Sequence, residues 1–291
     1  MRSFNYTGDD EEVPDDVTHV TIAASVTVIC QRAFSDNDNI EEVVCDLNVK
    51  KVEEGAFDCC RSLRRVIMPG VEVVEVCAFN RCLALTDVEC GKLERIGYEA
   101  FSDCESLMNV NVPSAKIVER YAFAETALTD VKFGGKLERI EQLAFFGCPS
   151  LERITIPLKD GMITADDIFE GCANLKHVDL VEGELHETIA ALQLEEWRIE
   201  MNEEIDSINQ ILPTVSAGGG YEGDDGEKAR EIRMWIRSVL GKIIHYQAEH
   251  QRLLDEEVAT TLQLALPRDI VMNNVLPFLE LPSCTFEVGD N

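Results

Sequence analysis

The dipeptide Ala-Phe recurs through the first part of the chain at an almost constant interval, and this repeat constrains the fold more than any other feature. Consecutive phenylalanines are separated by 23, 22, 22, 22, 22 and 24 residues, with Ile-Phe replacing Ala-Phe in the last copy. A fixed period of this length is typical of a solenoid, in which each repeat forms one coil and stacks on its neighbours. The repeated phenylalanines are Phe34, Phe57, Phe79, Phe101, Phe123, Phe145 and Phe169.

Other positions recur with each phenylalanine. A β-branched residue lies five positions before it, a cysteine follows three positions after it in most copies, and an aliphatic residue follows three positions further on. The copy around Phe123 is one residue shorter and has Thr126 in place of the cysteine. Cysteine at such a position is expected to act as a small apolar side chain with a weak S–H donor. The recurring cysteines are Cys60, Cys82, Cys104, Cys148 and Cys172.

Each repeat ends in a short alternating run, such as Arg65-Val66-Ile67-Met68. Alternation of this kind indicates a strand with one buried face. One such strand cannot bury its apolar side alone, whereas coils stacked ~4.8 Å apart form a parallel sheet over a continuous core. The pattern therefore predicts a repeat solenoid with a parallel β-sheet and about seven coils over residues 17–182.

The repeat I-x-x-x-A-F-x-x-C-x-x-L-x-x-[VI]-x-[LIM]-P resembles the BspA-type (Treponema-type) leucine-rich repeat, over roughly 57% of the chain. Members of that family include bacterial and protist surface proteins that adhere to other proteins, together with many intracellular relatives. The resemblance implies the leucine-rich-repeat fold and supplies no catalytic residues. It therefore favours a non-enzymatic scaffold that binds a protein partner.

Outward-facing strand positions usually carry recognition in a solenoid. Here they hold mixed polar and charged residues, which suit a protein surface better than an apolar ligand, although a merely solvated face is the alternative. The candidate partner-binding residues form one column of Arg65, Asp87, Asn109, Asp130, Arg153 and His177, and a second column of Ile67, Glu89, Asn111, Lys132, Thr155 and Asp179.

After Gly183 the apolar spacing becomes helical, with stripes over residues 194–212 and from about 227 to 266. We predict an antiparallel helical hairpin over 183–266 with a flexible loop at 213–226, then a short helix and tail at 267–291. An acidic, flexible segment is expected at 1–16. The first helix is acidic and the second begins with Lys228, Arg230, Arg233 and Arg237, which favours pairing between the helices over contact with nucleic acid.

The apolar stripes of a two-helix hairpin need a third element to cover them. We expect the hairpin to cap the open end of the solenoid in part, and to self-associate as in a coiled coil or bind a partner with the remainder. This tail is also similar to tails of uncharacterised diatom proteins that carry the same repeats. Its segment 266–279, LPRDIVMNNVLPFL, resembles the opening of an F-box, although only a dozen residues follow. That resemblance implies an alternative function, the substrate-selecting subunit of a ubiquitin ligase.

The formal charge of −29 disfavours nucleic acid and anionic membranes as partners, and either favours basic partners or serves solubility alone. The N-terminus lacks an apolar signal region and no 18-residue apolar run occurs, so we expect a location in the cytoplasm or nucleus, with the 11 cysteines as thiols. The recurring cysteines lie one per coil rather than converging as zinc requires. No P-loop or other catalytic motif is present. We therefore expect no metal, no cofactor and no enzymatic activity.

Overall fold

A computed structural model describes residues 2–8, 13–14, 16–181, 189–190, 195–212 and 226–253. Most coils of the solenoid contribute one longer and one shorter strand, which confirms the predicted stack of about seven parallel coils. The longer strands are β2 (His19–Ile22), β4 (Glu42–Cys45), β6 (Arg65–Ile67), β8 (Asp87–Glu89), β10 (Asn109–Val112), β12 (Asp130–Phe133), β14 (Arg153–Ile156) and β15 (His177–Leu180). The shorter strands are β3 (Val28–Ile29), β5 (Lys51–Val52), β7 (Val73–Val74), β9 (Arg95–Ile96), β11 (Ile117–Val118) and β13 (Arg139–Ile140).

All strand pairs are parallel, and they form two kinds of sheet. The shorter strands make one six-stranded sheet, from β3 to β13. The longer strands β2, β4, β6 and β8 form a five-stranded sheet together with the N-terminal strand β1 (Ser3–Tyr6), and the other four form a separate sheet that begins at β10. The sequence predicted the parallel ladder but not this interruption, because Asp87-Val88-Glu89 and Asn109-Val110-Asn111 show the same alternation as the other repeats.

The repeated phenylalanines form a continuous ladder through the core, as predicted. Adjacent rings from Phe34 to Phe169 have centroids 4.8, 5.1, 5.2, 5.5, 5.6 and 5.7 Å apart, and their planes lie within 16° of parallel. All seven are buried. Because each ring contacts only the coils before and after it, the core is built from repeated nearest-neighbour contacts.

Each ladder phenylalanine from Phe34 to Phe145 is flanked by two backbone positions in the left-handed region, whereas Phe169 has only Gly171. In the coil of Phe79 these are Cys77 (φ 54°) and Arg81 (φ 57°), and in the coil of Phe145 they are Leu143 (φ 58°) and Gly147 (φ 65°). Most residue types adopt this conformation only at an energetic cost. Hydrogen bonds between coils offset the cost, as where the Cys77 amide donates to the next coil at 2.9 Å. The stacking of the coils therefore fixes a turn that one coil alone would not hold.

The recurring cysteines form a second internal row. Each thiol donates to the carbonyl oxygen of the ladder phenylalanine one coil earlier, at 3.0 Å for Cys60, 3.2 Å for Cys82 and 3.3 Å for Cys104. In the coil of Phe123, Thr126 replaces the cysteine, and its hydroxyl donates to the carbonyl oxygen of Phe123 in the same coil at 2.9 Å. The predicted role of these cysteines, a small apolar side chain with a weak donor, is confirmed.

Burial should make the row of cysteines unreactive. It raises the pKa of the Cys60 thiol to about 12, so the reactive thiolate is scarce near neutral pH. We expect iodoacetamide at about pH 8 to modify the half-buried Cys30 in the folded protein and to leave Cys60 unmodified, whereas both react after unfolding. Peptide mass spectrometry measures the two rates. Equal rates for Cys30 and Cys60 in the folded protein would contradict the assignment.

The N-terminal segment differs from the expectation for residues 1–16. Residues Ser3–Tyr6 form strand β1, which pairs in parallel with β2. The buried Tyr6 ring meets Phe34 edge-on at 5.0 Å. The strand forms here because the first coil leaves both a sheet edge and the end of the phenylalanine ladder uncovered. The acidic residues 9–12 lie outside the described part of the chain.

Two helices follow the solenoid, α1 (Glu195–Ile211) and α2 (Gly226–Leu253), as the apolar stripes predicted. The chain divides into two compact units, Met1–Val181 with Asn209–Arg233, and Glu182–Ile208 with Met234–Asn291. The solenoid unit therefore includes the end of α1 and the start of α2. The predicted boundaries at 182/183 and 266/267 lie outside the described residues, and so does the loop predicted at 213–226 except for Gly226, which begins α2.

Within the second unit the helices run antiparallel. The Trp235 indole donates to the Glu204 carbonyl at 2.9 Å, and the Lys242 ammonium lies 2.7 Å from the Glu204 carboxylate. Closer to the start of α1, Trp197 stacks on Tyr246 with ring centroids 5.1 Å apart. Positions later in α2 thus contact positions earlier in α1. The predicted attraction between the acidic first helix and a basic second helix occurs here through Lys242.

The sequence predicted that the basic residues at the start of α2 would pair with α1. For Lys228 and Arg233 this prediction is wrong. The Lys228 ammonium donates to the carbonyl oxygens of Cys172, Ala173 and Leu175, and Arg233 pairs with Asp166. All of these residues belong to the solenoid unit. The reason is that the last coil has no following coil to hydrogen-bond its carbonyl groups, and an ammonium group satisfies three of them together.

Candidate protein-binding face

The two predicted columns lie on the outer side of the longer strands, a surface that we call the sheet face. The parallel register sets Arg65 beside Asp87 and Ile67 beside Glu89 in the five-stranded sheet. In the four-stranded sheet it aligns Asn109, Asp130, Arg153 and His177 in one row and Asn111, Lys132, Thr155 and Asp179 in the other. The structure thus brings the predicted residues together in two segments, which meet where the ladder between β8 and β10 is interrupted.

Exposure along the sheet face alternates as predicted. Arg65, Asp87, Glu89 and Asn109 are exposed, whereas Val66 and Val110 beneath them are buried. The remaining candidates are exposed or half-buried; the exposed group is Asn111, Lys132 and His177, and the half-buried group is Ile67, Asp130, Arg153, Thr155 and Asp179. The face is therefore accessible to a large partner.

The sheet face extends further toward the N-terminus than the sequence analysis proposed. His19 and Glu42 continue the first column, and Thr21 and Val44 continue the second. His19 Nε2 lies 3.9 Å from a Glu42 carboxylate oxygen. The sequence contained the signal, because His19-Val20-Thr21-Ile22 alternates in the same way as the later strands. The predicted columns do not include β2 and β4, because these strands precede the first complete copy of the motif.

Charges on the sheet face are largely paired across neighbouring strands. The Arg65 guanidinium lies 2.7 Å from Glu89, 3.1 Å from Asp87 and 3.7 Å from Glu42. Its hydrogen bond to Glu89 raises the pKa of Arg65, which stays charged. Exposed ion pairs of this kind contribute only about 0–1 kcal/mol to folding. Their main effect is to hold long side chains in a fixed pattern of alternating charge.

The four-stranded part of the face has a similar pattern and one exception. Arg153 pairs with Asp179, and Lys132 lies 3.8 Å from one Asp130 carboxylate oxygen. The other Asp130 oxygen is buried and has no hydrogen-bond partner among the described residues. A buried acceptor without a donor is unfavourable. This oxygen lies beneath the sheet face, out of reach of a partner, so the missing hydrogen bond is a local cost to the fold.

The described residues contain no arrangement suited to metal chemistry. No group of three or more histidine, cysteine, aspartate or glutamate side chains within that part of the chain is placed to hold a metal ion. None of the described helices is long and apolar enough to cross a bilayer. The F-box-like segment, including Leu276, Pro277 and Phe278, lies outside the described residues, so the ubiquitin-ligase alternative stays a prediction.

Stacked coils of about 22 residues, each with parallel strands and a buried ladder residue, define a leucine-rich-repeat protein. A family model described as a BspA type leucine-rich repeat region matches residues 14–118 and 94–210, with six copies of the repeat. The chain therefore belongs to the BspA-type leucine-rich-repeat family, as the resemblance predicted. Proteins with this repeat generally bind protein partners.

Parts of the chain are similar to solved structures of leucine-rich-repeat proteins. A leucine-rich repeat protein from Bacteroides ovatus is 22% identical with a TM-score of 0.47, over 59% of this chain and 47% of that one. A leucine-rich repeat protein of T. pallidum is 25% identical with a TM-score of 0.42, over 55% of this chain and 68% of that one. The chain thus spans about half the length of the Bacteroides protein. A comparison with curated proteins gives no significant match, and the expected similarity to diatom tails has no support here.

Proposed function

We propose that the protein is a non-enzymatic interaction scaffold that binds a protein partner through the sheet face. The observation that carries this proposal is the accessible surface of paired charges on the longer strands, where Arg65 contacts Glu89, Asp87 and Glu42. The fixed pattern of paired charges would select a partner with complementary charges and the orientation in which it binds.

The composition of the face supports a protein partner over a small molecule. Small-molecule sites are concave and mostly apolar, whereas both columns present charged and amide side chains on an open sheet. Membership of a repeat family whose proteins bind other proteins points the same way. Self-association through the helices and the ubiquitin-ligase alternative remain predictions, since no contact of the described residues favours either.

Reversing two charges on the sheet face is expected to abolish the association. Asp87→Lys places a cation beside Arg65, and Asp130→Lys places one beside Lys132. Loss of a paired or buried charge at an interface costs about 2–5 kcal/mol, so the double variant should retain less than roughly 3% of the binding. Affinity capture with quantitative mass spectrometry, using the full chain, measures the loss.

The control is Glu105→Lys, which makes one such charge reversal, half the charge change of the double variant, at an exposed turn residue outside both columns. It should capture the partner as the parent protein does. Circular dichroism must show that both variants remain folded. If every captured protein is retained by the double variant at the parental level, the sheet face is not the binding site.

A further inference from the structure

A second surface of the solenoid displays aromatic residues that the core does not use. Tyr98, Tyr121 and Phe146 lie in the turns that flank the phenylalanine ladder, and we call them the aromatic edge. Tyr98 meets Tyr121 at 6.1 Å between ring centroids and Tyr121 meets Phe146 at 6.0 Å, with the planes nearly perpendicular in both pairs. Tyr98 is 36% exposed and the other two rings are half-buried.

The repeat does not require these aromatic residues. Tyr98 lies three positions before its ladder phenylalanine, where the neighbouring coils have Val76 and Arg120. Phe146 lies one position after the ladder residue Phe145, where the two preceding coils have Ser102 and Ala124. Three different repeat positions in three successive coils thus supply rings that meet on one edge. Since the coil folds with other residue types at each position, the contact between the rings is a property of this chain rather than of the repeat.

The aromatic edge already holds one guanidinium group. The Arg120 Cζ atom lies 4.7 Å from the centre of the Tyr121 ring, and its Nη2 donates to the Tyr121 hydroxyl at 3.3 Å. This is the geometry in which an aromatic face attracts a cation. Arg120 Nε is buried without a hydrogen-bond partner among the described residues, so this guanidinium is not fully satisfied by the fold.

Carboxylates flank the rings on both sides. Glu119 accepts a hydrogen bond from the Tyr98 amide at 3.0 Å and also pairs with Arg95, and Glu99 lies 3.6 Å from the Cys77 thiol. On the other side of the ladder, burial and the nearby charge of Asp103 raise the pKa of Glu125. Partly exposed rings bordered by carboxylates match the guanidinium group, which stacks on aromatic faces and binds carboxylates in a fork.

We propose that the aromatic edge is a second docking surface and that its occupant is an arginine-rich segment of a partner protein. The net charge of −29 attracts such a segment over a long range, and the rings then select arginine from other cations. This surface lies in the turns and not on the longer strands, so its occupation does not depend on the sheet face.

The test uses two labelled decapeptides, one of alternating arginine and glycine and one of alternating lysine and glycine. Binding to the full chain is followed by fluorescence anisotropy at about 150 mM salt, which screens exposed charges more than about 8 Å apart. The double variant Tyr98→Leu with Tyr121→Leu removes two aromatic faces and leaves the net charge and most of the apolar volume unchanged. We expect it to bind the arginine peptide about tenfold more weakly than the parent protein.

The matched control is Phe4→Leu, which removes a half-buried aromatic ring from β1 at no change in charge. It should bind as the parent does, and the parent should prefer the arginine peptide to the lysine peptide by several-fold. Circular dichroism verifies folding of each variant. Equal binding by the parent and the double variant would mean that the acidic surface attracts cations diffusely, and this result, or a parent protein that binds neither peptide, overturns the proposal.

Discussion

Replacing Phe101 with alanine is expected to lower the free energy of unfolding by about 3–5 kcal/mol, the usual cost of removing a buried aromatic ring. Phe101 is 1% exposed and stacks between Phe79 at 5.2 Å and Phe123 at 5.5 Å. The surrounding coils cannot close the resulting cavity without breaking their own hydrogen bonds. The variant therefore loses both the transfer energy of the ring and the contacts around the cavity.

The position of Phe101 makes this substitution informative. Its coil contributes β10, the strand at which the ladder of longer strands is interrupted. Across that junction the coils are joined by the shorter strands β7, β9 and β11 and by the phenylalanine ladder. Guanidinium unfolding followed by circular dichroism measures the decrease in the free energy of unfolding. The control is Tyr98→Ala at an exposed position, which should lower that free energy by less than about 1 kcal/mol. A loss for Phe101→Ala no greater than that of the control would contradict a core built on stacked rings.

Replacing Lys228 with methionine is expected to cost about 3 kcal/mol of stability. Lys228 is 1% exposed, and its ammonium donates to the carbonyl oxygens of Cys172, Ala173 and Leu175 at 2.8, 3.0 and 3.1 Å. Methionine retains most of the side-chain volume but has no donor. The three carbonyl groups of the last coil would then be buried without these hydrogen bonds, and each unsatisfied group costs about 1–3 kcal/mol before the structure relaxes.

Arg230→Met is the matched control for Lys228→Met, because it removes one positive charge from an exposed position of the same helix. Its effect on the unfolding midpoint should be small. Hydrogen exchange provides a second measurement, since amides of the last coil should lose protection in the Lys228 variant before those of central coils. If Lys228→Met and Arg230→Met are equally stable, the ammonium does not cap the solenoid.

The sequence predicted the solenoid and its sheet face because repeat position determines both. Once the 22-residue period is recognised, the buried side of every strand follows, and so does the alignment of Arg65 with Asp87 and of Arg153 with His177. The period also predicts the environment of Cys60 and its equivalents. These features depend on the alternation within each repeat and on the stacking of neighbouring repeats. The alternation is visible in a single repeat, and the constant period predicts the stacking.

Features that depend on contacts between unlike parts of the chain could not be predicted in this way. The capping role of Lys228 depends on carbonyl groups more than 50 residues away. The strand at Ser3–Tyr6 forms only because the first coil has an uncovered edge. The left-handed turns could be predicted from the sequence only in part. Gly55, Gly147 and Gly171 mark them in three coils, but ordinary side chains occupy the equivalent positions elsewhere.

Site-specific photocrosslinking tests the central claim most directly. A photoreactive amino acid is placed in the full chain at Asn109 or Asn111 on the sheet face, or at Glu105 in a turn outside it, and all three positions are exposed. After irradiation in native lysate, the account predicts that both sheet-face positions crosslink to the same discrete protein and that Glu105 does not. Crosslinks to that protein from Glu105 alone, or the same products from all three positions, would contradict recognition by the sheet face.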